Sequence, residues 1–344
     1  MHESQTPQIT LVIPGRNASR TIAACLDAVV PLLGEHLSEI IFVNDGSTDS
    51  TAQIVSKYPV RCIRGEGRGP GAARNLGWRQ ATTPWVWFID SDCVAEPHAL
   101  EELMPQMHNE GVGGIGGSYG NMCPDSLLAC LIHEEIIERH LQMALEVNFL
   151  ATFNVLYRRD VLEQVQGFDE KLKLAQDAEL AFRVRRAGHR LRFCVNSRVK
   201  HFHPTQLQSY LRTQMRQGYY RVLLYARHPQ QMKGDSYSGI IDHVQPPLAM
   251  LVLATLPLLL VGNPLPTFGL AGLLFAAQLP LTFRITQRTG EAKYLNFAWM
   301  SFLRAFARGI GLSTATLITA RDWLTQRWGG PRFGWFFRRS DAAS

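Results

Sequence analysis

A doubly wound, mostly parallel α/β sheet followed by a helical membrane hairpin is the fold this sequence predicts, on three observations. Short β-branched or aromatic runs alternate with segments of helical apolar spacing over the first hundred residues. Small, acidic and basic residues follow the end of each run, and residues 244–283 carry no charged side chain. Alternation of strand and crossover helix builds a parallel sheet, and ligands of such sheets bind beyond the carboxyl ends of the strands.

The strands are expected at Ile9–Ile13, Glu39–Asn44, Val60–Arg64 and Trp85–Asp90, with helices at Thr21–Leu33, Thr51–Tyr58 and Ala72–Gln80. Four strand ends then meet on one rim: Pro14-Gly15-Arg16-Asn17, Asp45-Gly46-Ser47-Thr48-Asp49, the loop Gly65–Gly71, and Asp90-Ser91-Asp92. Asp45 is placed to accept hydrogen bonds from a base or ribose, and Ser47 or Asp49 to cap the next helix. The glycine loop leads into a helix carrying Arg74, so its backbone N–H groups, the helix dipole and the guanidinium groups of Arg68 and Arg74 suit a diphosphate. Asp90 and Asp92 flank one serine, a spacing that lets two carboxylates approach one divalent cation, which would neutralise a phosphate leaving group. Each motif alone has a plainer reading as a capping turn, a glycine loop or an Asx turn.

Further along, Gly113–Gly120 reads as a strand whose missing side chains permit close packing, and Cys93 as an apolar position near a strand end. Asp177 opens an amphipathic helix that runs through Leu180, Phe182 and Val184 to a Gly188 stop. An aspartate there is either a cap or a carboxylate able to take a proton from an attacking hydroxyl.

Composition bounds the partners. With 344 residues, 46% hydrophobic and 19% charged, the chain is long and apolar enough for two folded domains and is not disordered. The formal charge of +6 is local: residues 284–344 hold ten Lys/Arg against three Asp/Glu, which leaves the rest at −1. Nucleic acid, which needs clustered basic residues on the folded part, is not an expected partner. Six cysteines lie far apart with no C-x-x-C pair, so reduced thiols are expected in place of a zinc ribbon or disulfide framework. Met1–Pro7 is polar and Ile9–Ile13 too short for a signal-peptide core, so the N-terminal domain is expected to stay in the cytoplasm.

The succession Ile13-Pro14 with Asn17, Val43-Asn44-Asp45-Gly46-Ser47-Thr48-Asp49, Gly71-Ala72-Ala73-Arg74-Asn75 and Phe88-Ile89-Asp90-Ser91-Asp92 resembles the family 2 glycosyltransferases of the glycosyltransferase-A fold. The resemblance continues through Asn154, Arg158-Arg159, Gly167-Phe168-Asp169-Glu170 and Gln176-Asp177-Ala178-Glu179-Leu180 to His201-Phe202-His203, about residues 8–220. It implies a metal-dependent inverting enzyme that moves one sugar from a UDP-, GDP- or dTDP-linked donor to a hydroxyl of a lipid-linked or envelope-glycan acceptor. It also implies a donor site of Pro14, Asn17, Asp45, Arg68, Arg74, Asp90 and Asn154, in which Asp45 contacts the nucleoside and Arg74 lies beside the nucleotide. Asp92 becomes the principal ligand of Mn²⁺ or Mg²⁺, Asp90 contacts the ribose or the metal-bound water, and Asp177 is the general base. His201, preferred over His203, completes the metal site, where an imidazole beside carboxylates suits either ion. There are departures: Gln176 stands where the family pattern has Glu, no aromatic precedes Asn17, and Gln214-Met215-Arg216-Gln217-Gly218 is not the Q-x-x-R-W of processive relatives. Single-residue transfer is therefore expected.

The charge-free stretch Val244–Phe283 would span about 60 Å as a helix, twice the ~30 Å of a bilayer core. Gly262-Asn263-Pro264-Leu265-Pro266 interrupts it, which predicts a hairpin with halves near Leu248–Val261 and Thr267–Phe283, spanning or re-entrant; the plainer alternative is a buried core hairpin. Lys/Arg on both flanks (Arg221, Arg227, Lys233; Arg284, Arg288, Lys293) and none in the turn place both flanks in the cytoplasm, at an inner membrane. Arg304 and Arg308 share a face of the next apolar segment, Tyr294–Ala320, and are expected at the interface. The tail, with Trp323, Trp328, Trp335, Phe336 and Phe337 among Arg327, Arg332, Arg338 and Arg339, suits membrane lipid. The chain thus divides into a catalytic domain, 1–235, and a membrane part, 236–344, with its hairpin at about 247–283.

Two competing functions remain at this stage. Gly67, Gly69 and Ala72 fit a relaxed G-x-G-x-x-A, with Asp90 about 20 residues on, as in an NAD(P)-binding oxidoreductase, although the loop follows the third strand instead of the first. A non-catalytic membrane-attached scaffold that binds nucleotide sugars or glycans is the other, and only Gln176 points to it.

Overall fold

In a computed structural model of the chain, residues 8–172, 174–227 and 236–327 are described. The first part follows the expected alternation: β1 (Ile9–Gly15), α1 (Ile22–Val29), β2 (Leu37–Asn44), α2 (Thr51–Val55), β3 (Arg61–Arg64), α3 (Pro70–Gln80) and β4 (Trp85–Ile89). Every residue of β1 is buried, because both faces of the sheet are covered. Ile9, Leu11 and Ile13 pack with Ile22 and Leu26 of α1. Val12 points the other way, into a second core with Ala73 and Trp78 of α3. That double burial is why the strand reads as an unbroken apolar run.

The remaining strands are β5 (Cys93–Ala95), β6 (Val112–Asn121), β7 (Glu146–Val147), β8 (Asn154–Arg158) and β9 (Arg190–His201), with α4 (Leu127–His140), α5 (Arg159–Gln164) and α6 (Gln176–Arg186) between them. Together they form one sheet in the order β3-β2-β1-β4-β8-β6-β9-β5, with β7 on β9. β1 to β4 are parallel, β8 runs antiparallel between β4 and β6, and β9 returns parallel to β6. The strand order turns back at β1 and β4, so the crevice for a ligand lies beyond their carboxyl ends. Gly113–Gly120 lies within β6 as expected.

The C-terminal part is helical: α7 (Leu207–Arg227), α8 (Ile240–Thr255) continued by a tight 3-10 turn to Val261, α9 (Leu265–Ala276), α10 (Leu279–Thr289) and α11 (Phe297–Arg327). The turn falls at Gly262, whose φ of +75° closes the first arm. The arms are longer than expected, Ile240–Val261 and Leu265–Thr289, with mean hydropathy 2.0 and 1.5 and only 22% of each apolar window buried. Leu260, Val261, Leu265 and Phe268 stand exposed at the tip. A core hairpin of a soluble protein would bury them, so that alternative is not what the chain adopts.

One expectation is overturned. Arg304 and Arg308 do not lie at an interface but turn inward: Arg304 donates to Glu135, Tyr210 and Ser301, and Arg308 to Gln214 and Gln217. Acceptors supplied by α4 and α7 account for this, and helical spacing alone does not show them. α7 and α11 also touch backbone to backbone, since a Cβ on Gly218 would meet the Arg308 carbonyl and one on Gly311 that of Met215. Tyr210, Ile285, Phe297 and Met300 share one apolar cluster with Cys130 and Leu131, so the C-terminal helices dock on α4 and α7. Expectations for Arg227, for Lys233 and for the tail side chains from residue 322 onward lie outside the described residues.

Candidate active site

The rim beyond β1 and β2 is stitched by its own polar groups. Asn17 adopts φ +53°, its N–H donates to Ser47 Oγ at 3.0 Å, and its Oδ1 accepts the Thr48 N–H at 2.8 Å. Asp49, not Ser47, secures α2, accepting from the Thr51 N–H at 3.0 Å. Pro14 is buried inside β1 opposite Val43, so its ring is part of the sheet and not of the rim.

Asp45 is only 4% exposed, and both its oxygens are engaged, by the N–H groups of Arg68 (3.1 Å) and Gly69 (2.7 Å). Gly69 has φ +102°, a conformation that only glycine adopts readily, and α3 starts directly after it. The expectation of free loop amides for a diphosphate is corrected here: two of them hold Asp45, which acts as the anchor of the loop. Arg68 reaches Glu66 within the loop at 3.1 Å and Glu170, which also accepts from Asn75, at 3.0 Å.

Arg74 is the buried cation of the site. Its Nη2 donates to Asp90 Oδ1 at 2.5 Å, its guanidinium lies 5.6 Å from the Phe168 ring centroid, and its Nε–H has no acceptor among the described residues. Phe168 is held by Asn75, which accepts the Phe168 N–H at 2.8 Å and donates to the Phe168 carbonyl at 2.8 Å. Burial raises the Asp90 carboxyl above its usual range, with the Arg74 charge opposing and the Asp92 charge adding to the shift.

Asp92 faces His201 across the β5/β9 pairing, Oδ2 to Nε2 at 3.3 Å. Burial would raise the Asp92 carboxyl, but the hydrogen bond from His201 outweighs it and holds the group low. His201 is raised in turn: burial would lower it, and Asp92 prevails. Its other nitrogen, Nδ1, lies 3.1 Å from His203 Nδ1. His203 is buried, Tyr119 sits edge-on to both rings, and burial pulls the His203 imidazole down to about 3. Asp92, Cys93 and His201 bring ligand atoms within 4.8 Å of one another. Burial and the two aspartates raise the Cys93 thiol, and the Asp92 carboxylate and His201 imidazole give an oxygen and nitrogen pair that fits Mn²⁺ or Mg²⁺.

Asp177 stands in the first turn of α6, with its Oδ1 accepting the Ala178 N–H at 2.9 Å. Burial raises its carboxyl, opposed by that N–H and by the charge of Arg74, a sign that Arg74 is near. Gln176 beside it is buried, with an Oε1 that meets no donor among the described residues and faces Gly71 at the start of α3. Asn154 is not part of the cleft. It is fully buried, accepts from Trp87 Nε1 at 2.9 Å and donates to Ser197, so its amide ties β4, β8 and β9 together.

Sequence reasoning missed Asn75, Phe168, Tyr119 and the His203 contact. Asn75 and Phe168 stood within recognised motifs, but their work is to position Arg74, which only the packing reveals.

Residues 10–166 match the model of the family described as glycosyl transferase family 2. The chain is 27% identical over 198 residues, 55% of its length and 65% of the relative's, to glycosyltransferase AglE of Haloferax volcanii. It is 25% identical over 250 residues, 67% of its length and 50% of the relative's, to the pre-mycofactocin glycosyltransferase of Mycobacterium tuberculosis. The chain thus spans about half to two thirds of the length of these curated relatives. Among solved structures it resembles in fold the mannosyltransferase PcManGT from Pyrobaculum calidifontis in complex with GDP-Man and Mn²⁺, with a TM-score of 0.57 and 18% identity, covering 89% of this chain and 87% of that one. Residues 10–166, which carry the ordered strand-end motifs, thus form a region that matches glycosyltransferase family 2, on a sheet whose fold resembles that of the mannosyltransferase.

Proposed function

We propose that the chain is a metal-dependent inverting glycosyltransferase that moves one sugar from a nucleotide-sugar donor to a hydroxyl of a lipid-linked or envelope-glycan acceptor. The observation that carries this reading is the pair of contacts at the carboxyl edge, Arg74 to Asp90 and Asp92 to His201. Asp92 and His201 would hold Mn²⁺ or Mg²⁺, and a divalent ion supplies charge stabilisation to a departing diphosphate. Arg74 orients Asp90 and has an N–H to spare for the nucleotide. Asp177 is the base: its carboxylate, raised by burial, takes the acceptor proton as the hydroxyl attacks the anomeric carbon from the face opposite the diphosphate. The GDP-Man and Mn²⁺ bound by the mannosyltransferase with this fold are compatible with a guanosine donor among the UDP-, GDP- and dTDP-linked candidates.

In this reading residues 1–235 form the catalytic domain, and residues 236–344 hold it at the cytoplasmic face of an inner membrane through the exposed arms of the hairpin. A site held there meets an acceptor in the lipid plane. The oxidoreductase alternative loses its physical basis, because amides of the glycine loop are spent on Asp45 and Asp90 is paired with Arg74.

The test is nucleoside-diphosphate release by the detergent-purified chain against a panel of nucleotide sugars, with Mn²⁺, with Mg²⁺ and with chelator, beside Asp92→Ala. Metal-dependent release from one donor that Asp92→Ala abolishes is the expected result. No binding of any donor, with or without metal, would sink the assignment.

A further inference from the structure

A cavity of about 380 Å³ lies between α4 and the helices α8, α10 and α11, outside the site described above. Arg139, Asp242, Gln278, Arg284 and Arg304 are on its wall. Its carboxylates already have partners: both oxygens of Asp242 accept from Arg139, at 2.6 and 2.9 Å, and Glu138 accepts from Arg288 at 2.9 Å. Two guanidinium groups are left with capacity. Among the described residues Arg284 has one carboxylate within reach, Glu138 at 4.0 Å. Arg304 is 3% exposed, and its Nε–H has no acceptor among the described residues. The wall also includes Gly239, Ile240 and Ile241 at the N-terminus of the sixteen-residue helix α8, the positive end of its dipole. A buried donor without an acceptor among the described residues, a loosely paired arginine and a helix N-terminus on one wall make a surface that suits an anion.

The rest of the lining says which kind of molecule brings it. Ile240, Ile241, Pro280 and Leu281 lie on the same wall, and the cavity meets the first apolar arm at its start and the second near Ala277–Arg284. Ile240 and Ile241 are exposed. An anion that arrives with hydrocarbon attached satisfies both halves of the wall, whereas a free anion satisfies one.

We propose that this cavity binds the phosphodiester headgroup of an anionic membrane lipid, with Arg284, Arg304 and the Ile240 and Ile241 amides of α8 as donors, the Gly239 amide being held by Asp242, and the acyl chains along the apolar arms. The inference rests on the membrane reading of the hairpin. Its consequence is mechanical, because the headgroup would join α4 of the sheet domain to both arms and α11 at one point.

The probe is dihexanoyl phosphatidylglycerol, with dihexanoyl phosphatidylcholine and inorganic phosphate as comparisons, titrated onto the full chain in uncharged detergent and read by native mass spectrometry. Phosphatidylglycerol is expected to bind saturably, at least tenfold more tightly than either comparison. Arg284→Ala should weaken it about tenfold, as the loss of one charge-assisted hydrogen bond implies, and Arg284→Lys should recover part of it. Ala277→Trp, which fills the cavity from a half-buried position, should abolish it while the lipid-free melting temperature stays within a few degrees. Affinity unchanged in both Arg284→Ala and Ala277→Trp overturns the site, and inorganic phosphate binding as tightly as the lipid overturns a lipid as its source. Flotation with phosphatidylcholine vesicles separates the two readings: a chain that fails to float refutes the membrane hairpin, whereas a chain that floats with variant-insensitive binding refutes the headgroup site alone.

Discussion

Asp92 Oδ2 and His201 Nε2 lie 3.3 Å apart because β5 and β9 pair antiparallel with Cys93 opposite His201. The Phe202 N–H donates to the Asp92 carbonyl at 3.2 Å, which extends the pairing one step past the strand. Two residues far apart in the chain are thus fixed by backbone register, and neither side chain has to find the other through a loop.

From this follows a ranking of metal affinity. Asp92→Ala removes the oxygen ligand and should abolish Mn²⁺ binding, read as free Mn²⁺ by electron paramagnetic resonance. His201→Ala should weaken it strongly. His203→Phe keeps the ring volume but removes the nitrogen that faces His201 Nδ1, and should weaken Mn²⁺ by about 10–100-fold through loss of ring orientation. Unchanged affinity in His203→Phe would make that histidine a packing residue only.

Asp177 separates rate from stability. Its folded carboxyl is raised by burial above the unfolded value of about 3.9, so the folded state binds the proton more tightly. Ionised Asp177 therefore lowers stability at neutral pH, an effect that is absent below the unfolded value and complete above the folded one. Catalysis needs the ionised form, so the rate should fall with pH on an acid limb above the ordinary carboxylate range. Asp177→Asn should lower the turnover about 10²–10⁴-fold, leave nucleotide affinity unchanged and raise the melting temperature at pH 7. A lower melting temperature would identify the residue as a structural cap.

The strands around the rim were legible because β1 and β4 are buried throughout and β2 from Ile40 to Val43, which gives each a mainly apolar run bounded by polar residues. What escaped was whatever depends on non-local partners. Asn154 has the composition of a donor-site residue, yet Trp87 and Ser197 consume its amide. Arg304 looks interfacial until Glu135, far away in the chain, is seen to meet it. Asp45 reads as a free acceptor until the glycine loop folds over it.

Arg74 and Asp90 form the polar floor of the cleft, and Arg74→Leu would leave Asp90 without its cation. The expected cost is about 1–3 kcal/mol of stability, measured by denaturant unfolding, together with weakened donor binding. Asp90 should then protonate at a still higher pH, since the charge that opposes its burial is gone. Donor affinity equal to that of the unaltered chain would remove Arg74 from the nucleotide site.

Glu135 on α4 and Arg304 on α11 are both buried, and Tyr210 and Ser301 complete the arginine's surroundings. Removing one charge from such a pair leaves the other desolvated, whereas replacing both with apolar residues of similar volume is often tolerated. Glu135→Leu alone should therefore destabilise by about 3–5 kcal/mol, and Glu135→Leu with Arg304→Met should recover part of that loss, since Arg139, which also donates to Glu135, keeps only Asp242 as its carboxylate partner. The damage should be local, because this pair joins α4 to the C-terminal helices while the rim at β1 and β4 rests on the two sheet cores. Limited proteolysis should accordingly release fragments cut near α8 to α11 from Glu135→Leu while nucleotide-sugar binding persists. Simultaneous loss of donor binding would show instead that docking of the helices and integrity of the rim form one cooperative unit.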